Sequence, residues 1–265
     1  MVPFPPSAAT SAGKAGFSIY RKPDANPLKP IKFPELAWDA SLHGVAVLAD
    51  FTQTQVAGKY WWQHIVLNPP GNPVPDELDD LQRLAEYRPE VMAEAVAQMT
   101  DMVGYWAGLL MFSPYSHPWT FRVARIAIVV GEFVSMHYKR KFNRPRPSQL
   151  SPLLMPPMAV PGHSSAPSGH ATQAYLLSGL LSQAVVPVMP EAVTTKLDPT
   201  GIAVADTLLD RLAERVARNR EVMGLHYRSD SECGRDLAAQ TLDILLVTPM
   251  CVAALKEAQK EWVEQ

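Results

Sequence analysis

With 265 residues, 47% of them apolar, the chain can bury one substantial core, and nothing in its composition calls for a second domain. A formal net charge of -2 argues against a nucleic-acid or anionic-membrane surface as the main partner. No apolar run approaches the roughly 20 residues of a membrane span, and residues 1–14 lack the apolar segment of a signal peptide. The expectation is a soluble protein that is not membrane-embedded, cytoplasmic as it stands and periplasmic if a leader has been removed.

Residues 1–35, rich in Pro, Ser and Lys, read as an extended arm around a helical domain at 36–265. The arm is long enough to reach a second subunit, which would make a homo-oligomer. A helix is predicted over 38–64, with Leu42, Val45, Leu48 and Ala49 on its apolar stripe and Trp61 and Trp62 buried. After a loop with four prolines at 68–75, Asp76 and Glu77 open a helix that reaches Arg88. Pro89 breaks it or starts the next, a long buried helix to Phe112. Residues 119–141 form another, with Phe121, Ile128 and Phe133 inward. Seven prolines between Phe142 and Pro167 forbid a helix there. Helices follow at 168–186, 204–225 and 230–247, with a loop through 198–201 and a last amphipathic stretch at 251–262. No sustained period-2 alternation is present, so the expected fold class is all-α, a single-domain helical bundle. Cys233 and Cys251, eighteen residues apart along one predicted helix and its end, are too distant for a disulfide and read as reduced core residues.

Chemistry concentrates in three stretches. Lys139, Arg140, Lys141, Arg144 and Arg146 crowd into eight residues, an excess that the global balance conceals. At Pro167-Ser168-Gly169-His170 the proline-rich loop gives way to an apolar helix, with Ser168 in the capping position. Free backbone N–H groups there, small residues and a first-turn histidine suit an oxyanion. Further on, Arg220 falls on a stripe of Leu208, Leu212, Val216 and Met223, so a charge points where leucines point and needs a partner, most simply an anion. His226 and Asp230 are four apart, a spacing that lets the carboxylate accept from one ring nitrogen and leave the other lone pair free. Cations, a helix N-terminus and two histidines together suit a phosphoryl group. His43, His64, His117 and His137 lack ligand spacing, and no HExxH or CxxC pair suggests a metal.

Lys139-x6-Arg146-Pro147, Pro167-Ser168-Gly169-His170 and Arg220-x5-His226-x3-Asp230 resemble, in order and spacing, the three-part signature of the type 2 phosphatidic acid phosphatase superfamily. That family includes the class A bacterial acid phosphatases and the vanadium haloperoxidases. The resemblance spans about ninety residues. It departs at Asn219, where the family usually has Ser, and the first 120 residues resemble nothing identified. It implies a helical bundle in which His226 is the nucleophile that forms a phosphohistidine, oriented by Asp230. His170 would be the general acid, and Lys139, Arg146, Arg220, Ser168 and the Gly169 N–H would hold the phosphoryl oxygens, with no metal and no cofactor. It equally implies that the cradle can take vanadate as cofactor, with His226 as axial ligand, and oxidise halide with hydrogen peroxide.

His163, seven residues before His170, stands where the bromoperoxidases have a histidine beside vanadate, a possible halide or leaving-group side; the alternative is a loop histidine without a catalytic part. Length points the other way, because the haloperoxidases are much longer, and the C-terminal tail resembles that of class A acid phosphatases. The favoured expectation is therefore a soluble, metal-independent phosphomonoesterase acting on a small phosphorylated substrate. The alternative is a vanadate-dependent haloperoxidase using halide and peroxide, and a third, weaker one an inactive oxyanion-binding module.

Overall fold

The computed structural model describes residues 32–72, 75–185, 195–197, 203–205 and 207–263. The chain divides into Met1–Ala37 and Trp38–Gln265. Within the first unit a single 3-10 turn, Glu35–Ala37, is described, and the predicted arm at 1–31 lies outside the described residues.

The second unit is all-α. Its helices are α1 Ala40–Gln53, α2 Trp61–His64, α3 Pro75–Leu84, α4 Arg88–Thr100, α5 Val103–Leu110, α6 Pro118–Phe142, α7 Pro147–Leu150, α8 Gly169–Val185, α9 Leu208–Val222, α10 Arg228–Leu245 and α11 Pro249–Val263. The described residues also include two antiparallel strand pairs: β1 Gln55–Val56 with β2 Lys59–Tyr60, and β3 Thr195–Leu197 with β4 Ala203–Ala205. The predicted loop at 198–201 lies outside the described residues.

α8 organises the bundle. It is apolar or small around nearly its whole circumference, the mark of a helix surrounded by others, and it packs against α6, α9, α10 and α11. Two glycines set how closely its neighbours approach. A Cβ on Gly131 of α6 would lie 3.2 Å from the Cα of Gln173, and one on Gly234 of α10 would lie 2.7 Å from the Ser168 carbonyl oxygen. The first two turns of α8 are thus approached closely by α6 and α10. α6 ends where Asn143 takes a left-handed conformation, φ 48°, and turns the chain towards Arg144. Among the described residues no single helix is long and apolar enough to cross a membrane; α10 and α11 reach that measure only together and are bent by 89°.

Several expectations are corrected. The helix over 38–64 stops at Gln53, because Ala57 and Gly58, at φ 50° and 75°, turn the chain into the β1–β2 hairpin. α1 buries His43, Gly44, Val47 and Phe51, whereas Leu42 and Val45 are exposed; Gly44 lets that face lie against α6. Trp61 is buried, but Trp62 is half exposed and stacks on Tyr60. The helix from Asp76 ends at Leu84, and the long helix to Phe112 is broken at Asp101, whose carboxylate caps α5 by accepting from Gly104 N at 3.0 Å. α4 buries only Ala95 and Gln98. On α9 the inward stripe begins at Leu209 rather than Leu208, which is exposed. Cys233 and Cys251 sit on different helices, both buried and unbridged.

Candidate active site

The three stretches converge at the N-terminal end of α8. A cavity of about 210 Å³ there has Gly169, His170, Arg220, His226 and His163 in its wall. Lys139, Arg146, Ser168 and Asp230 stand immediately behind that wall, all buried.

Arg144, Arg146 and Lys139 bind the proline-rich loop to the bundle. Lys139 Nζ donates to the carbonyls of Ser164 and Ser165, at 3.0 and 2.7 Å, and Ser165 N donates to the Arg144 carbonyl. Ser168 N donates to the Asp230 carbonyl at 2.9 Å, and Ser168 Oγ accepts from Ala171 N, so this serine caps α8 as its sequence position foretold. Ser168 is fully buried, and Gly169 and His170 next to it line the cavity.

The hydrogen bonds of His226 define its tautomer. Arg146 Nη1 lies 3.2 Å from Nε2, and a guanidinium can only donate, so Nε2 carries the lone pair. Nδ1 then carries the hydrogen and donates to Asp230 Oδ2 at 3.2 Å. Asp230 is fixed in turn by Tyr227 N at 3.1 Å, by Ser165 Oγ and by Arg144 Nη1 at 2.5 Å. Burial opposes the Asp230 charge, yet the His226 hydrogen bond, with Arg144 and Ser165, brings its carboxyl down to about 2. Burial holds the His226 imidazole well below its usual range, against the pull of Asp230 and reinforced by Lys139 and Arg146. The pair is a neutral imidazole on a carboxylate, with a nucleophilic lone pair aimed away from it.

Burial lowers each cation as well. Lys139 falls to about 7, chiefly through desolvation and then the Arg146 charge, while Arg146 and Arg220 fall to about 10 and stay charged at neutral pH. His170 is pushed down to about 3 by burial and then by the charges of Arg220, Lys139 and Arg146. The His170 imidazole feels all three cations and Lys139 feels Arg146, so these groups share one electrostatic neighbourhood.

Donor accounting separates their tasks. Arg146 is largely engaged with protein, donating to His163 O, His163 Nδ1, Leu225 O and His226 Nε2. It braces the His163 loop and the His226 ring as much as it could grip a ligand. Arg220 differs. Its Nη2 donates to Ala95 O and Gln98 Oε1, but its buried Nε and Nη1 have no partner among the described residues. A guanidinium that is 1% exposed, with two nitrogens unpartnered among the described residues and a cavity beside it, has donors that an acceptor in the cavity could use.

Sequence reasoning missed the supporting residues. Gln98 on α4 holds both Arg220 and Asn219, whose Nδ2 donates to Gln98 Oε1 at 3.1 Å; Gln98 is held by Glu94, and Glu94 pairs with Arg215. Asn219, the departure from the family pattern, thus shares an acceptor with Arg220. On the other side Glu77 of α3 accepts from Arg144 Nη2 at 3.0 Å and from Ser229 N at 3.2 Å, so the order runs Glu77, Arg144, Asp230, His226. No known family model matches the chain, and no curated protein matches it.

Proposed function

We propose that this protein is a soluble phosphoric monoester hydrolase of the type 2 phosphatidic acid phosphatase superfamily, working through a phosphohistidine without a metal. The observation that carries this reading is Arg220, buried with Nε and Nη1 unpartnered, in a cavity whose wall also holds His170 and His226.

The phosphoryl oxygens would lie against Arg220, the remaining N–H of Lys139 and the N-terminus of α8. The His226 Nε2 lone pair displaces its Arg146 contact and forms the N–P bond as the ester P–O bond breaks. Asp230 stabilises the positive imidazole through Nδ1–H. His170 gives the departing oxygen its proton. In the free cup His170 is neutral, so that proton enters with the substrate, whose negative charge offsets the cations that suppress it. A water molecule then surrenders a proton to His170, its oxygen bonds to phosphorus, and the N–P bond breaks. Phosphate and alcohol leave, and His226 is regenerated.

A second reading is favoured by His163. Its Nδ1 lies 3.0 Å from Arg146 Nη2 and 3.2 Å from the Ser164 carbonyl, and the ring lines the cavity. Vanadate, held by the same cations opposite His226, would supply activation of hydrogen peroxide for halide oxidation. The two separate in one comparison: hydrolysis of p-nitrophenyl phosphate with a chelator present, and bromide oxidation with vanadate and peroxide. Turnover only in the second assay overturns the phosphatase. His226→Ala is expected to abolish whichever activity is found, and a wild-type rate would remove the nucleophile assignment. His163→Ala is expected to change ester hydrolysis modestly and to abolish any bromide oxidation.

A further inference from the structure

The cavity wall is mixed. Beside Arg220 and the imidazoles it carries an apolar set, Met99 of α4, Met136 of α6, Ala159, Pro161 and Leu225, together with Glu132, Ser135 and Gln173. Met99 and Met136 are 48% and 36% exposed, positions where a helix ordinarily carries polar side chains. The polar groups on this side are partly committed to the fold: Gln173 Nε2 donates one hydrogen to the Ile128 carbonyl at 3.1 Å, and Ser135 Oγ donates to the Glu132 carbonyl at 2.9 Å. The Glu132 carboxylate at the rim would repel a second anionic group. A nucleotide, a bisphosphate or a sugar phosphate would therefore exchange hydration for thioether and methylene surface.

Size narrows the class further. At about 210 Å³ the cavity is smaller than the roughly 300 Å³ at which sites for larger ligands begin. An apolar cavity of about 150 Å³ is enough to hold benzene. A phosphoryl group at Arg220 and one ring between the methionines use the available space, and thioethers favour aromatic edges. We propose that the site selects phosphate monoesters whose leaving group is a single aromatic ring, seated between Met99 and Met136. This rests on the oxyanion-binding reading of the cup.

Binding of two unreactive phosphonates to the full chain, followed by calorimetry, tests it without requiring turnover. Phenylphosphonate is expected to bind about thirtyfold more tightly than methylphosphonate, the effect of burying one ring. In the Met99→Gln, Met136→Gln pair that ratio should fall below about fivefold, and in the matching leucine pair it should stay within about threefold of wild type, because apolar surface is kept. A wild-type ratio near one, or a ratio unmoved by the glutamines, overturns the ring seat while leaving the oxyanion cup intact. Failure of both phosphonates to bind removes the cup and the ring seat together.

Discussion

A buried guanidinium with unused donors is unfavourable in the ligand-free fold, and Arg220 shows where that cost is placed. Two of its three nitrogens lack acceptors, although Ala95 O and Gln98 Oε1 hold the third. Removing one member of a buried ion pair is costly, but among the described residues Arg220 has no ion-pair partner, and Gln98 Oε1 would keep the Asn219 amide as donor. Arg220→Met is therefore expected to unfold within about 1 kcal/mol of wild type while losing at least about a hundredfold in affinity for inorganic phosphate. Urea unfolding and phosphate calorimetry check the two halves; a variant that unfolds much more readily yet binds normally would make Arg220 a structural residue. This residue was legible in the sequence because a charge on an apolar stripe contradicts the pattern around it. Gln98 was not, since an amide on a largely exposed helix looks ordinary until its partner, about 120 positions further on, folds against it. Leu208 was misread because a one-residue shift on a 3.6-residue period still leaves a plausible stripe.

At the scale of elements, α3 and α10 matter through one chain of contacts. Among the described residues Arg144 pairs with two acids, Asp230 and Glu77, and Glu77 also accepts from Ser229 at the start of α10. Removing it would leave Arg144 free to tilt and Asp230 less firmly set under His226. Glu77→Gln is expected to lower kcat for phosphate-ester hydrolysis about tenfold with KM nearly unchanged. Arg144→Gln strands a buried carboxylate and should cost roughly 3–5 kcal/mol of stability. A double-mutant cycle on kcat in which the two effects simply add would break the link between them. A different contact governs α8. A methyl on Gly234 has the Ser168 carbonyl at 2.7 Å, so Gly234→Ala must displace the cap of α8, for roughly 1–3 kcal/mol by thermal unfolding. An unaltered melting temperature would show that α10 can yield. The helices were mostly legible, their interruptions less so. Ala57-Gly58 and Asp101-x-x-Gly104 are short turn and cap signals that longer apolar patterns on either side obscured.

For the whole molecule, folding gathers residues from α4, α6, the proline-rich loop, α8, α9 and α10 into one cationic cup, and the cup's proton content should change when it is filled. In the free protein Lys139 sits at about 7 and His170 at about 3, both depressed by burial and by neighbouring cations. At pH 8 Lys139 is therefore mostly neutral and His170 wholly so. A phosphoryl dianion, the main form of inorganic phosphate at pH 8, favours the charged form of each group and raises both values. The sign follows: the complex holds more protons than the free partners, so binding takes protons up, and affinity declines as pH rises above about 7. Calorimetric titration of inorganic phosphate at pH 8, in buffers of different ionisation enthalpy, should give an uptake of about one proton per site. Lys139→Met should reduce that uptake, because it removes the group nearest its titration range. Proton release, or a heat independent of buffer, would mean that these cations are already fully charged before an oxyanion arrives, and that the cup is not electrostatically coupled to its occupant.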